Sequence, residues 1–180
     1  FENRLGLMIQ QEVLERGIGP FKAELPLLRQ AAAALRQQGF RGTAVLADRR
    51  LLDFEPGDTR AQCHGVAFDI GTTTLVGQLL GLCDGRELGV VSRMNPQVSF
   101  GDDVLSRIRH AGSCSGCLDE MRLTLTRELS GMIDELCAAA GIPRATIYEA
   151  AFAGNTTMQH ILCGINPAQL GEIPFVPVHA

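Results

Sequence analysis

Lysine is almost missing from this chain: Lys22 is the only one, against fifteen arginines. No arginine cluster accompanies the imbalance, which therefore reads as a coding bias and not as a basic surface. Acidic side chains outnumber basic ones 20 to 16, a net charge of −4. That balance argues against nucleic acid as a partner, because such affinity comes largely from Lys and Arg neutralising phosphates. No apolar run reaches the roughly 18 residues that a membrane helix needs, and no signal-peptide pattern opens the chain. The expectation is a cytoplasmic protein with no membrane partner. Gly and Pro are not in excess, 46% of residues are hydrophobic and 20% charged, so the composition is neither disordered nor fibrous. Six cysteines (63, 83, 114, 117, 137 and 163) are scattered along the chain, and in a reducing compartment they are expected as free thiols. A starting methionine and a closing element after Pro174-Phe175-Val176-Pro177 are also lacking, which predicts a piece of a longer protein.

What is present divides at about residue 62. Residues 1–62 read as a small α/β unit. Leu5, Met8, Ile9, Val13 and Leu14 repeat at helical spacing and stop near Gly17-Ile18-Gly19-Pro20. Leu27 to Leu35 predicts a second helix ended by Gly39, and Gly42 to Ala47 is a β-prone run. Residues 63–180 are more regular. Gly65 to Ile70 predicts a buried strand with an acid near its tip, and Thr73 to Leu82 a second strand. Asp84-Gly85 signals a hairpin into a third strand from Glu87 to Arg93. Asp102-Asp103 are expected in the first turn of a helix carrying Val104, Leu105 and Ile108. Leu118, Met121, Leu125, Leu129, Met132 and Leu136 form one apolar stripe ended by Gly141-Ile142-Pro143. The stripe reads as a core-facing helix and not a coiled coil, because the repeat does not extend. Thr146 to Ala153 predicts another buried strand, followed by a helix from Met158 to Cys163.

Two motifs in this order have a chemical use. A strand ending in Asp69 leads into Gly71-Thr72-Thr73-Thr74 and then into another strand. Glycine lets backbone approach a phosphate closely, and successive N–H groups in a tight turn form an anion-binding concavity to which threonine hydroxyls add donors. The Asp69 carboxylate suits Mg²⁺, which keeps several waters and needs few protein oxygens. Gly-Thr-Thr-Thr by itself also suits an ordinary hairpin; the buried acid before it and the third strand after it favour the phosphate reading. No Walker Gly-Lys-Ser/Thr is present, and strand rather than helix follows the loop. The second motif, Gly154-Asn155-Thr156-Thr157, sits where a strand gives way to a helix. Donors there suit an anion or a water, although the same residues make a plain N-cap.

This arrangement resembles the superfamily of sugar kinases, heat-shock chaperone ATPases and actin. The segment from Asn95-Pro96-Gln97 through Gly101-Asp102-Asp103 to Ser106-Arg107-Ile108 sharpens the likeness. With Val66 to Thr74 and Ala153 to His160 it resembles the reductive activators of corrinoid proteins, over residues 42 to 180. The resemblance implies a small α/β middle domain (1–62) and the first part of an actin-like, ribonuclease H-like ATPase domain (63–180). It implies ATP and Mg²⁺ as ligands, with Asp69, Gly71, Thr72, Thr73, Thr74, Gly154, Asn155 and Thr156 in the nucleotide site and Asp102 near metal or water. The family uses ATP to drive cobalt(II) to cobalt(I) in a corrinoid methyl-transfer protein, the implied partner, and a homodimer is a further possibility. Its electrons come from a [2Fe-2S] ferredoxin domain, for which this chain has no four-cysteine pattern. The later phosphate and adenosine motifs of such folds are also missing, so half the nucleotide site is expected beyond Ala180.

Two other functions stay open from the residues. A sugar-type or other small-molecule kinase needs a general base and a substrate pocket, and kinases of this superfamily often place a basic residue after the threonines where Leu75 and Val76 stand here. A nucleotide-switched assembly module of the actin-like kind needs only the binding site. Cys114-Ser115-Gly116-Cys117 is read as a loop between helices, since no second ligand pair completes a zinc site. His64, His160 and His179 are read as structural.

Overall fold

The computed structural model describes residues 22–178 apart from 38 and 40. The helix expected from Leu5 to Leu14, and His179, lie outside the described residues. The chain splits into two compact units, Phe1–Gln62 and Cys63–Ala180.

In the first unit helix α1 (Leu25–Gln37) precedes the strands β1 (Gly42–Ala47) and β2 (Arg50–Pro56), which pair antiparallel. Asp48 and Arg49 turn the hairpin, both at positive φ, as a two-residue hairpin turn matched to strand twist requires. Ala31 and Leu35 of α1 pack with Phe54, while Leu27 and Leu28 pack on Leu51.

In the second unit a four-stranded sheet runs in the order β5-β4-β3-β6. Strands β3 (His64–Ile70), β4 (Thr74–Gly81) and β5 (Glu87–Met94) are antiparallel neighbours, and β6 (Ile147–Gly154) lies parallel to β3. A 3-10 turn (Pro96–Phe100) leads to α2 (Val104–Ser113), the long α3 (Cys117–Ala140), β6 and α4 (Thr156–Cys163). The helix α3 lays Met121, Leu125, Leu129, Met132 and Leu136 on the sheet face made by Val66, Phe68, Ile70, Leu75 and Leu79. Period 2 on β3 and β4 meets helical period on α3, so each element contributes one apolar face. Each such side chain contributes roughly 1.5–3 kcal/mol by leaving water. Gly141 closes α3 in the left-handed conformation, its N–H on Ala138 O.

Three sequence expectations are corrected. The segment from Thr146 to Ala153 is not a buried strand: Glu149 to Ala153 are exposed, and Phe152, stacked on Phe68 at 5.7 Å, remains 45% exposed. The reason is its place at the sheet edge, with β3 as its sole neighbour among the described residues. Asp102 and Asp103 do not lie within the first turn of α2. Asp103 is the N-cap, held extended because its carboxylate accepts the Ser106 N–H at 2.7 Å, and Asp102 precedes it. Finally, Cys114 and Cys117 are joined in a disulfide and are not free thiols. Three residues separate α2 from α3 there, and the turn brings the cysteine Cα atoms to 5.3 Å, within bonding range.

Candidate functional site

The turn between β3 and β4 is built from Gly71, Thr72 and Thr73, and its carbonyl oxygens are all engaged from the protein side. Gly71 O accepts from Asn95 Nδ2 at 2.8 Å, and Thr72 O from Arg107 Nη2 at 2.6 Å. Thr73 O accepts from the Asn95 N–H at 2.8 Å, and Thr74 O from the Gly71 N–H at 3.0 Å. The N–H groups of Thr72 and Thr73 find no acceptor among the described residues. Carbonyls drawn in and amides left over make a turn that presents donors. Glycine is needed at position 71, because a Cβ there would stand 2.5 Å from Thr74 O.

Beside this turn stands the N-terminus of α4. Asn155 Oδ1 caps it by accepting the Met158 N–H at 3.0 Å, and its Nδ2 donates to Thr72 Oγ1 at 3.1 Å. The register of the parallel pair aligns Asp69 with Ala153 and Ile70 with Gly154, so both strands reach the site together. A Cβ on Gly154 would meet Ile70 O at 2.9 Å. The sequence reading of Asp69 as a buried acid is corrected: its side chain is exposed at the strand tip, on the face turned away from the apolar core, and takes no hydrogen-bond partner among the described residues. Thr73, Thr74 and Thr156 are exposed as well, with Thr156 as the first residue of α4.

The two sequence motifs are therefore one place in the structure, joined by Thr72 and Asn155. Asp102 is not joined to them by any hydrogen bond; it is exposed, and its connection is the charge it places near Arg107. Among the described residues no group of three His, Cys, Asp or Glu converges to hold a metal. Any ion here would rest on Asp69, water and a bound anion.

Sequence reasoning named the segment from Asn95 to Ile108 without seeing what its buried polar residues do. Asn95, Gln97 and Arg107 are each 0% exposed. Gln97 Nε2 donates to Met121 O at 3.1 Å and ties the 3-10 turn to α3. Arg107 also donates from Nε to Gly101 O at 2.9 Å and touches Met158 Sδ at 3.5 Å through Nη1. Burial pushes the guanidinium below its ordinary value, opposed by the charges of Asp102 and Asp103. One signal could have revealed Arg107. Val104, Ile108 and Ala111 sit at helical spacing around it, so it lies on the apolar face of α2. His160 Nδ1 lies 2.8 Å from Thr156 O within α4, whereas His64 Nδ1, 2.8 Å from Thr146 Oγ1, ties the opposite ends of β3 and β6, away from the turn.

The chain is similar to proteins already known. The family model described as "RACo middle region" matches residues 64–180, which is the second unit. The "Corrinoid activation enzyme RamQ" of Eubacterium limosum is 36% identical over 133 residues, covering 73% of this chain and 22% of the relative. A solved structure titled "Reductive activator for corrinoid,iron-sulfur protein" superposes with a TM-score of 0.84 at 30% identity, over 94% of this chain and 28% of that one. The chain thus spans less than a third of the length of either protein.

Proposed function

The chain belongs to the family described as RACo middle region, and from that premise we propose that it is the phosphate-gripping part of an ATP-driven reductive activator of a corrinoid protein. In this reading the second unit is part of an actin-like, ribonuclease H-like ATPase lobe. The whole protein lowers a corrinoid cobalt(II) to cobalt(I), one electron at a time, with electrons from a [2Fe-2S] domain outside this chain. Both similar proteins carry corrinoid activation in their names, which supports the partner.

One observation carries the nucleotide reading: the Thr72–Asn155 hydrogen bond sets a turn with spare amides beside a helix N-terminus. The residues fit a Mg-nucleotide. The N–H groups of Thr72 and Thr73 would hold phosphate oxygens, the hydroxyls of Thr72, Thr73 and Thr74 would add donors, and the capped α4 end favours negative charge. Asp69, without a protein partner among the described residues, would hold Mg²⁺ directly or through water. When bound, the ion neutralises charge that develops on the phosphates. Hydrolysis in such sites is chiefly positioning and charge stabilisation, so a fixed turn and an ordered water suffice. Opening and closing of the site with the nucleotide state would control docking of the corrinoid protein.

The test is an anaerobic visible spectrum of the full-length protein with reductant and a cobalt(II) corrinoid protein, with and without ATP. An ATP-dependent rise of the cobalt(I) band is expected. ATP hydrolysis with no such rise across several corrinoid proteins would move the assignment to a kinase or a nucleotide-switched assembly module.

A further inference from the structure

Resting on that reading of the turn as a phosphate site, we propose that Arg107 is its positioning residue, a buried cation that both aims and strengthens the amide of Thr73. Arg107 is fully buried, and its partners are two carbonyl oxygens and a thioether, with no salt bridge to a carboxylate among the described residues. A buried charge without a paired counter-charge is costly to hold, so a bare strut between α2 and β4 would be better made of apolar atoms.

The peptide geometry shows what the charge does. Thr72 O and the Thr73 N–H belong to one peptide unit. The guanidinium donates to that oxygen at 2.6 Å, polarises the unit and makes its N–H a stronger donor. Asn95 does the same, without charge, to the unit shared by Gly71 O and the Thr72 N–H. Both side chains hold the carbonyls inward, which leaves the two amides facing away from the protein. Nε on Gly101 O fixes the guanidinium plane, so the fork spans the 3-10 turn and the phosphate turn at once. Arg107 does not touch the nucleotide in this arrangement; it acts through the Thr72–Thr73 peptide.

The experiment uses the full-length protein and compares calorimetric binding of Mg-ATP with that of adenosine. Variants are Arg107→Gln, which keeps a donor without charge, and Arg107→Lys, which keeps charge without the fork. Arg109→Met, an exposed position on the same helix, serves as control. Arg107→Gln is expected to weaken Mg-ATP roughly ten- to hundredfold, with adenosine unchanged and Arg107→Lys falling between. Where Arg107→Gln fails to fold, Arg107→Lys decides: a severalfold loss for Mg-ATP alone supports the proposal. Wild-type Mg-ATP affinity in a folded variant, or equal loss for adenosine, overturns it while leaving the phosphate reading in place. No Mg-ATP binding by the wild-type protein overturns the phosphate reading itself, and this proposal with it.

Discussion

The amide of Asn155 caps one helix and at the same moment holds the hydroxyl of Thr72, 83 residues earlier, at 3.1 Å. One side chain thus fixes the distance between two walls that the sequence keeps far apart. Its two ends have separable jobs, and substitutions can address each.

Asn155→Ala removes both, and the expected cost is about 1 kcal/mol of stability from the lost cap. Asn155→Asp keeps the cap but turns an acceptor and a negative charge towards Thr72. It should melt close to wild type and bind ATP much more weakly. Thermal melting beside nucleotide titration checks this; wild-type ATP affinity in Asn155→Asp would remove Asn155 from the site.

Asp69 is exposed and bonded to nothing described in the protein, so Asp69→Ala should shift stability by no more than about 0.5 kcal/mol. In the full-length protein the same change should abolish Mg-ATP turnover. Hydrolysis at the wild-type rate would end the assignment of Asp69 to the metal.

Glycine at positions 71 and 154 allows backbone to pass backbone. A Cβ would sit 2.5 Å from Thr74 O in the first case and 2.9 Å from Ile70 O in the second. Gly71→Ala and Gly154→Ala should each cost about 1–3 kcal/mol, read from urea midpoints, and both should impair ATP binding. A neutral Gly71→Ala would mean that the turn is looser than described.

Acid should unpick the start of α2. The Asp103 carboxyl is held below its ordinary value of 3.8, chiefly by the Ser106 N–H and hydroxyl, with Arg109 as a lesser cause. Because its folded value is depressed, the cap is at full strength above the ordinary value and is lost as pH falls through the lower folded one. Asp103→Asn keeps a capping oxygen that does not titrate, so its melting temperature should fall less between about pH 5 and pH 2. Parallel curves for the two proteins would show that another group governs the acid limb.

Local signals were legible in the residues. An apolar run with an acid near its end gave β3, the segment from Thr73 to Leu82 gave β4, Asp84-Gly85 gave the hairpin to β5, and the stripe from Leu118 to Leu136 gave α3 almost to its last turn. These depend on neighbours a few positions away. The exposure of β6 could not be read from Ala150-Ala151-Phe152-Ala153, since an apolar run is the same in a central strand and at an edge. Asp103 was misplaced by one turn position, because an acid before a helix serves equally as cap or as dipole partner. Thr72 and Asn155 were each singled out, but their contact depends on the parallel register of β3 and β6. Arg107 went unassigned because charge suggests a surface, while only its packing shows an inward role.

The parallel pairing of β3 with β6 also sets an order in time. The hairpin of β3 and β4 closes across a short turn, whereas the His64–Thr146 contact spans 82 residues and Asn155–Thr72 spans 83. Near contacts form before distant ones, because a long loop must be closed before its contacts reward it. On a growing chain the threonine turn is made first, Arg107 arrives 35 residues later, and Asn155 comes last. A nascent polypeptide therefore carries the hydroxyl of Thr72 for 83 residues of synthesis before the side chain that holds it is added.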